Sequence, residues 1–252
     1  MAVVLLKEDR KNLILNQLNL HTRISLVDLA KILHVSEDTI RRDINDLAEE
    51  GKLIRIRGGA MSKAYHYDAG PVENYSQEYK AKIAEKAVTL VEEGMLVIIG
   101  GGTTIREFIR AIPDDLRATF LTVNPLTAVE LLDKPLLEII LIGGPVSRHS
   151  RMTVGGDVNE RLSEIRADLC VMGTTALDAD AGLTDSHWET VQTKKAMIRA
   201  AKKTAILSIS EKMNSVLSLK VADLRDIDYL VTELPPDAAA LAAYQATGIT
   251  LL

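Results

Sequence analysis

The 252-residue sequence holds a single cysteine, Cys170, so no intrachain disulfide braces the fold. Cys170 sits in the apolar run 169–172, where a buried structural thiol is expected rather than a redox centre. No apolar stretch is long enough to span a bilayer, and residues 1–6, though apolar, are far too short for a signal peptide. A cytoplasmic chain with no membrane partner is therefore expected. The five histidines are scattered without His/Cys spacing, so no local metal motif exists, and only a site assembled from distant parts of the chain would escape notice. Neither a metal nor a cofactor is expected.

What is present is a 47% hydrophobic composition spread over a length that exceeds one small domain, and two soluble cores are expected. Charge is divided unevenly. Residues 1–60 carry ten Lys and Arg against nine Asp and Glu, while the remaining 192 carry twenty against twenty-six.

The segment 24–60 has the order of a winged helix-turn-helix. Leu26, Leu29, Ala30 and Leu33 recur at helical spacing and stop at His34-Val35, after which Ser36 is placed to cap a second helix. Ile40, Ile44 and Leu47 form the buried stripe of that helix, leaving Asp38, Arg42, Asn45 and Glu49 on the opposite side with Thr39 and Arg41 near its N-terminus. Gly51 ends the helix. Residues 53–57 then alternate, with Ile54 and Ile56 on a packing face and Arg55 and Arg57 on the other, and Gly58-Gly59 is expected to form a wing tip without side chains to obstruct a phosphate backbone. A lone Arg41-Arg42 pair beside Asp38, Asp43 and Asp46 would be a solvated helix face; helix, turn, capped helix and basic wing in sequence point instead to double-stranded DNA. Arg42 and Asn45 are expected at base edges, and Thr39, Arg41, Arg55 and Arg57 at phosphates. A nearly neutral module binds weakly alone, so a homodimer or homotetramer is expected to supply enough phosphate contacts.

Residues 63–76 lose periodicity around Gly70-Pro71 and read as a linker between a 1–62 DNA-binding domain and a 77–252 domain. From Tyr79 a helix with Ile83, Ala87, Leu90 and Val91 on one side runs toward Gly94. Short apolar runs follow at 95–99, 120–123, 137–142, 169–172, 205–209 and 229–231, with a clear helix at 188–201 and a short one at 237–245. Such runs between helical segments are parallel strands buried on both faces, so the class is α/β with a mostly parallel sheet. Ligands bind such sheets beyond the carboxyl ends of strands. There the sequence places Gly100-Gly101-Gly102-Thr103-Thr104, Asn124, Gly143-Gly144 and Gly173-Thr174-Thr175. Three glycines and two threonines opening a helix expose N–H groups suited to a phosphate, and the absence of a following lysine or of G-x-G-x-x-G spacing argues against ATP and dinucleotides. Asp178, Asp180, Asp185, Glu189, Lys194 and Lys212 are further candidates; for the three aspartates a polar turn around Gly182 is the alternative, and for Lys194 a solvated helix face.

These residues together resemble the DeoR family of bacterial sugar-responsive transcription regulators over essentially the full length. The stretches that carry the likeness are VSEDTIRRDINDLAEEGKLIRIRGGA, IGGGTT, LIGG, AGLTD and VQTKKAMI. The resemblance implies a larger domain related to ribose-5-phosphate isomerase and coenzyme A transferase folds, a phosphorylated sugar as effector, and repression of a sugar-utilisation operon. It also implies that Thr103 and Thr104 hold the phosphate, with Asn124, Lys194 and Lys212 in the pocket. The sequence departs from the family at Gly100 and in the SISEK stretch after Ser208, where members commonly carry aspartates, so two carboxylates are expected to be missing from the pocket. Competing readings are a sugar-phosphate isomerase, with an Asp or Glu as proton-transferring base, and a constitutive DNA-binding protein whose larger domain only oligomerises. A winged module has no purpose in a metabolic isomerase, so a non-enzymatic regulator is the leading expectation.

Overall fold

A computed structural model describes residues 6–21, 23–62 and 77–252. The expected linker, 63–76, lies outside the described residues. The chain divides into two compact units, Met1–Tyr75 and Ser76–Leu252.

In the first unit, α1 (Lys7–His21), β1 (Arg23–Ser25), α2 (Leu26–Leu33) and α3 (Glu37–Glu49) precede a hairpin of β2 (Leu53–Ile56) and β3 (Gly59–Ser62). The strands form an antiparallel sheet in the order β1-β3-β2. The Ser25 and Ser36 hydroxyls accept the backbone N–H groups of Asp28 and Thr39, satisfying donors that the first turns of α2 and α3 leave open. His34 closes α2 in the left-handed region at φ 52°. Leu29, Leu33, Ile40, Ile44, Leu47 and Leu53 pack with Ile14 and Leu18 of α1 into one core. Sequence reading missed α1: leucines and isoleucines at 13, 14, 15 and 18 spread around the helix rather than striping it.

Charge ties α1 to α3. Asp43 is buried and receives both Nε and Nη2 of Arg10, at 2.5 and 3.1 Å, while Lys7 and Lys11 reach Asp46 and Lys11 also reaches Glu50. These contacts hold the Asp46 and Glu50 carboxyls below their ordinary range and raise Lys11. Two expectations for the wing need correction. Leu53 is its deeply buried residue, with Ile54 and Ile56 only half-buried. Gly59 is not at the tip but inside β3 and buried; a Cβ there would lie 2.1 Å from the Ile24 carbonyl oxygen, so the glycine permits close strand approach. Gly58, exposed at φ 79°, is the turn glycine.

The second unit runs α4 (Gln77–Val88), β4 (Leu96–Ile99), α5 (Thr103–Ala111), β5 (Thr119–Thr122), α6 (Pro125–Leu131), β6 (Glu138–Leu141), α7 (Gly156–Ser163) and β7 (Ala167–Gly173). It continues through β8 (Ala176–Asp178), β9 (Gly182–Asp185), α8 (Trp188–Arg199), β10 (Ala201–Leu207), β11 (Leu219–Ala222), β12 (Tyr229–Val231), α9 (Ala242–Gln245) and β13 (Thr250–Leu251). The main sheet has the order β13-β12-β10-β7-β4-β5-β6, every pair parallel. Alternation along β7 sends Leu169 and Val171 to one core and Cys170 and Met172 to the other, so covering both faces explains the uninterrupted apolar run. Burial pushes the Cys170 thiol far above its ordinary pKa, consistent with an inert structural role.

The expected helix from Tyr79 ends at Val88 instead of near Gly94, and Leu90 and Val91 continue the packing from turns. Strand β6 is an edge, with Ile140 and Leu141 41% and 44% exposed, rather than a strand buried on both faces. Val129 and Leu132 at α6 are also exposed, making this margin of the sheet apolar. The antiparallel sheet β11-β9-β8 was not expected. Among the described residues no helix is long and apolar enough to cross a membrane.

The Asp43→Ala variant strands the Arg10 guanidinium against the core; it is expected to lose about 2 kcal/mol in the first unit, raising exchange of buried α3 amides about 30-fold. Exchange rates matching the parent would refute the structural weight given to this pair. Gly59→Ala is expected to cost at least about 1 kcal/mol in the same measurement and more than Gly58→Asn, which a left-handed turn tolerates; the reverse order would contradict the close approach at Ile24.

Candidate nucleic-acid interface and anion pocket

With Asp43, Asp46 and Glu50 turned toward α1, the exposed side of α3 and the wing carries Arg42, Arg55 and Arg57 beside the two acids Asp38 and Glu49. Arg41 is partly neutralised by Asp38 at 2.8 Å. Arg42 is exposed and has no ion-pair partner among the described residues. Asn45 Oδ1 accepts from Arg55 Nη1 at 3.0 Å, which ties the helix to the wing strand and leaves the Asn45 amide as a donor. The Ser36 and Thr39 hydroxyls bond each other at 2.9 Å at the helix N-terminus, where the dipole favours an anion. Exposed guanidinium groups on a capped helix and adjoining hairpin provide phosphate contacts and donors for base edges.

In the second unit, strand succession moves outward in opposite directions from β4 and β7, so their carboxyl ends flank a topological switch point. The loop after β4 leads into α5 through Gly102, at φ 115°, with no side-chain cap on the first-turn N–H groups. Thr104 is buried and Thr103 half-buried beside them. The two loops approach closely: a Cβ on Gly173 would lie 3.6 Å from the Gly101 carbonyl oxygen.

Beyond β7, Lys212 Nζ donates to the Thr174 carbonyl at 2.9 Å and the buried Thr174 hydroxyl has no hydrogen-bond partner among the described residues. Asp185 Oδ2 receives Lys194 Nζ at 2.6 Å and Thr175 Oγ1 at 3.1 Å, while Oδ1 receives the Ser186 N–H at 2.7 Å. Burial alone would raise the Asp185 carboxyl, but the Lys194 charge and these hydrogen bonds outweigh it and leave it below the ordinary range. Burial pushes Lys212 down to about 8, helped by repulsion from Lys80 and Lys194 and opposed by Asp185 and Glu211. Burial also lowers Lys80, with Glu107 and Glu211 opposing. Three lysines thus converge at the ends of β7 and β10.

Several sequence candidates lie elsewhere. Asn124 is a structural cap: its Oδ1 accepts the Leu126 and Thr127 N–H groups, and a Cβ on Gly101 would collide with its amide, so it supports the glycine loop from below. Gly143 and Gly144 follow β6, three strands from β7, and a Cβ on Gly144 would strike Val158; they serve the turn rather than the lysine cluster. Glu189 is exposed and about 140° around α8 from Lys194, so it does not share that lysine's face. Asp178 Oδ1 accepts the Asp180 and Ala181 N–H groups in the β8–β9 turn, leaving only Asp185 of the three aspartates against the lysines.

Sequence reading missed Lys80, whose spacing to Ile83, Ala84 and Ala87 puts it on the buried stripe of α4. The expected loss of carboxylates is also only partial. A side chain at Gly100 is absent, though a Cβ would meet Met172 at an ordinary 3.5 Å. Near SISEK, Glu233 accepts the Ser210 N–H and hydroxyl, and Glu211 stands close enough to act on Lys80 and Lys212.

Two family models match the chain: DeoR-like helix-turn-helix domain over residues 10–64 and DeoR C terminal sensor domain over residues 75–234. The HTH-type transcriptional repressor GlcR of Bacillus subtilis (strain 168) is 33% identical over 98% of this chain and 96% of its own length. The HTH-type transcriptional regulator GolR of Listeria innocua is 30% identical over 96% of each. Among solved structures, eIF2B beta from Chaetomium thermophilum has a TM-score of 0.50 at 12% identity, covering 97% of this chain and 87% of that one. Ribose 5-phosphate isomerase A from Methanocaldococcus jannaschii has a TM-score of 0.42 at 17% identity, covering 55% of both chains. With the sensor-domain match spanning more than half of its residues and a full-length relative at 33% identity, the chain belongs to the DeoR family.

Proposed function

We propose that this protein is a cytoplasmic, sequence-specific DNA-binding repressor of a sugar-utilisation operon, relieved when a phosphorylated sugar binds the sensor domain. The observation that carries the sensing part is the convergence of Lys80, Lys194 and Lys212 beside the uncapped N-terminus of α5 at the sheet's switch point. Lys80 and Lys212, held where burial disfavours their charge, gain from a bound anion, and a phosphate accepts hydrogen bonds from both ammonium and helix N–H groups. Thr103, Thr104 and Lys212 flank the phosphate in this reading, with Thr174 and Asp185 toward the sugar. The role is binding rather than catalysis: Asp185, the carboxylate at the centre, is occupied by Lys194, Thr175 and Ser186 instead of standing ready as a base. The active form is a homodimer or homotetramer, since one winged module supplies few phosphate contacts; the exposed apolar margin at α6 and β6 supports association between copies.

Arg42→Ala is expected to weaken binding to an operator selected from random duplexes by about tenfold or more, with little change on unrelated DNA. Arg57→Ala should weaken both alike. Equal losses for Arg42→Ala on the two duplexes, in gel shifts at one salt concentration, would remove its base-reading role.

The Lys212 shift gives the pH dependence. In the free protein Lys212 begins to lose its proton near pH 8, and a bound phosphate stabilises the charged form, so the complex holds more protons than the free protein above that pH. Phosphate ionisation, with its second pKa of about 6, is already complete there. Affinity for a phosphorylated sugar identified by thermal shift should therefore be flat between pH 7 and the onset near 8, then fall by up to about tenfold per unit. Lys212→Met should abolish that slope. A parent affinity independent of pH from 7 to 10 would place the phosphate away from Lys212.

A further inference from the structure

We propose that His149, Asp185 and His187 form a binding site for a divalent transition-metal ion at the edge of the anion pocket. One donor atom from each lies within 4.8 Å of the other two. A tetrahedral zinc with bonds of about 2.1 Å separates its ligands by about 3.4 Å, so side-chain rotations suffice to close this set around an ion. Two imidazoles and one carboxylate suit zinc, cobalt or nickel, whereas magnesium and calcium prefer oxygen donors throughout.

The chain builds the set from two distant segments. Residues 145–154 form a tight loop, closed by Ser147 N–H to the Met152 carbonyl, Arg151 N–H to the Ser147 carbonyl and Val154 N–H to the Pro145 carbonyl, with Arg151 at φ 55°. That loop carries His149 onto His187, ring centroids 3.1 Å apart and planes 20° from parallel. Ser186 Oγ lies 2.9 Å from His187 Nδ1, which leaves Nε2 as that ring's ligand atom and fixes its orientation.

Asp185 retains the capacity to take part. Its Oδ2 uses two lone pairs on Lys194 and Thr175 and its Oδ1 uses one on Ser186, so one acceptor position of about four remains, on Oδ1. The hydrogen bonds hold the carboxylate in place, and its charge stands between Lys194 and an ion on the other oxygen. Three protein ligands leave a coordination position for water or for an oxygen of an anion in the adjoining pocket.

The site stands on its own geometry, and only its use with a sugar phosphate rests on the function proposed above. The test uses the full chain, stripped with chelator and titrated with Co2+ and then Zn2+ without any sugar, following Co2+ absorption and heat. One Co2+ per chain with the absorption of a four- or five-coordinate nitrogen-and-oxygen site, displaced by Zn2+ and not by Mg2+, is expected. His149→Ala and His187→Ala should each weaken binding by at least about tenfold. As a check independent of affinity, Zn2+ should raise the Tm of the parent and not that of a folded His187→Ala. Absence of saturable binding, or retention of parent affinity in both histidine variants, overturns the site; neither result depends on whether a phosphorylated sugar binds.

Discussion

The pocket of the larger unit depends on burying Lys194 against Asp185. A lysine enclosed at the end of a parallel sheet is costly unless paired, and Asp185 makes it tolerable by accepting from Lys194, Thr175 and the Ser186 backbone together. Burial depresses Lys212 to about 8, with Lys80 and Lys194 adding to the shift and Asp185 and Glu211 opposing it only in part. The fold thus holds cationic groups that a bound anion stabilises further. The same aspartate is the element shared between the lysine cluster and the two histidines, so an ion at the histidines and an anion at the lysines would act on one carboxylate.

In the first unit the relevant constraint is segregation rather than amount of charge. Ten basic residues against nine acidic ones in residues 1–60 suggest a module with little electrostatic reach. In the fold, Lys7, Arg10 and Lys11 of α1 are used on Asp46, Asp43 and Glu50, so acids of α3 are neutralised on the inner side. Arg42, Arg55 and Arg57 remain outside and outnumber Asp38 and Glu49 there. Net charge could not report this because it sums over faces that meet different partners.

Legibility followed the same physics. Helices α2 and α3 and the strands of the main sheet were readable because each answers to one demand, a one-sided stripe with a serine cap or a run buried on both faces. Helix α1 was not, since its aliphatics surround it, and α7 offers only Val158 and Leu162 to the core. At the sheet edge, Asp185 and Lys194 stood out by motif, whereas Gly143, Gly144 and Glu189 were chosen because they follow strands or open helices; sheet order sets the two glycines three strands from β7, Glu189 faces away from Lys194, and Asn124 lies against Gly101 as the cap of α6. Lys80 and Lys11 were overlooked because a lysine on a helix is read as solvated, although Lys80 repeats with Ile83, Ala84 and Ala87 and Lys11 with Ile14 and Leu18 on buried faces. His149 and His187 could not have been paired from spacing at all.

Control of DNA binding asks little energy of such a site. A tenfold change in occupancy requires about 1.4 kcal/mol of differential affinity between the DNA-competent arrangement and its alternative. Charge-assisted hydrogen bonds between a phosphate and the lysine cluster are each worth about 1.5–3 kcal/mol, so one such bond made in only one arrangement suffices. Contacts made equally in both contribute affinity and no regulation. Lys212 is the group best suited to differ, because it lies on the Ser210–Lys212 turn rather than in a strand, and among the described residues its ammonium is held by the carbonyl of Thr174. Lys194, fixed to Asp185 on α8, is suited to hold the anion in either arrangement. The division assigns affinity to the rigid pair and switching to the lysine on the turn.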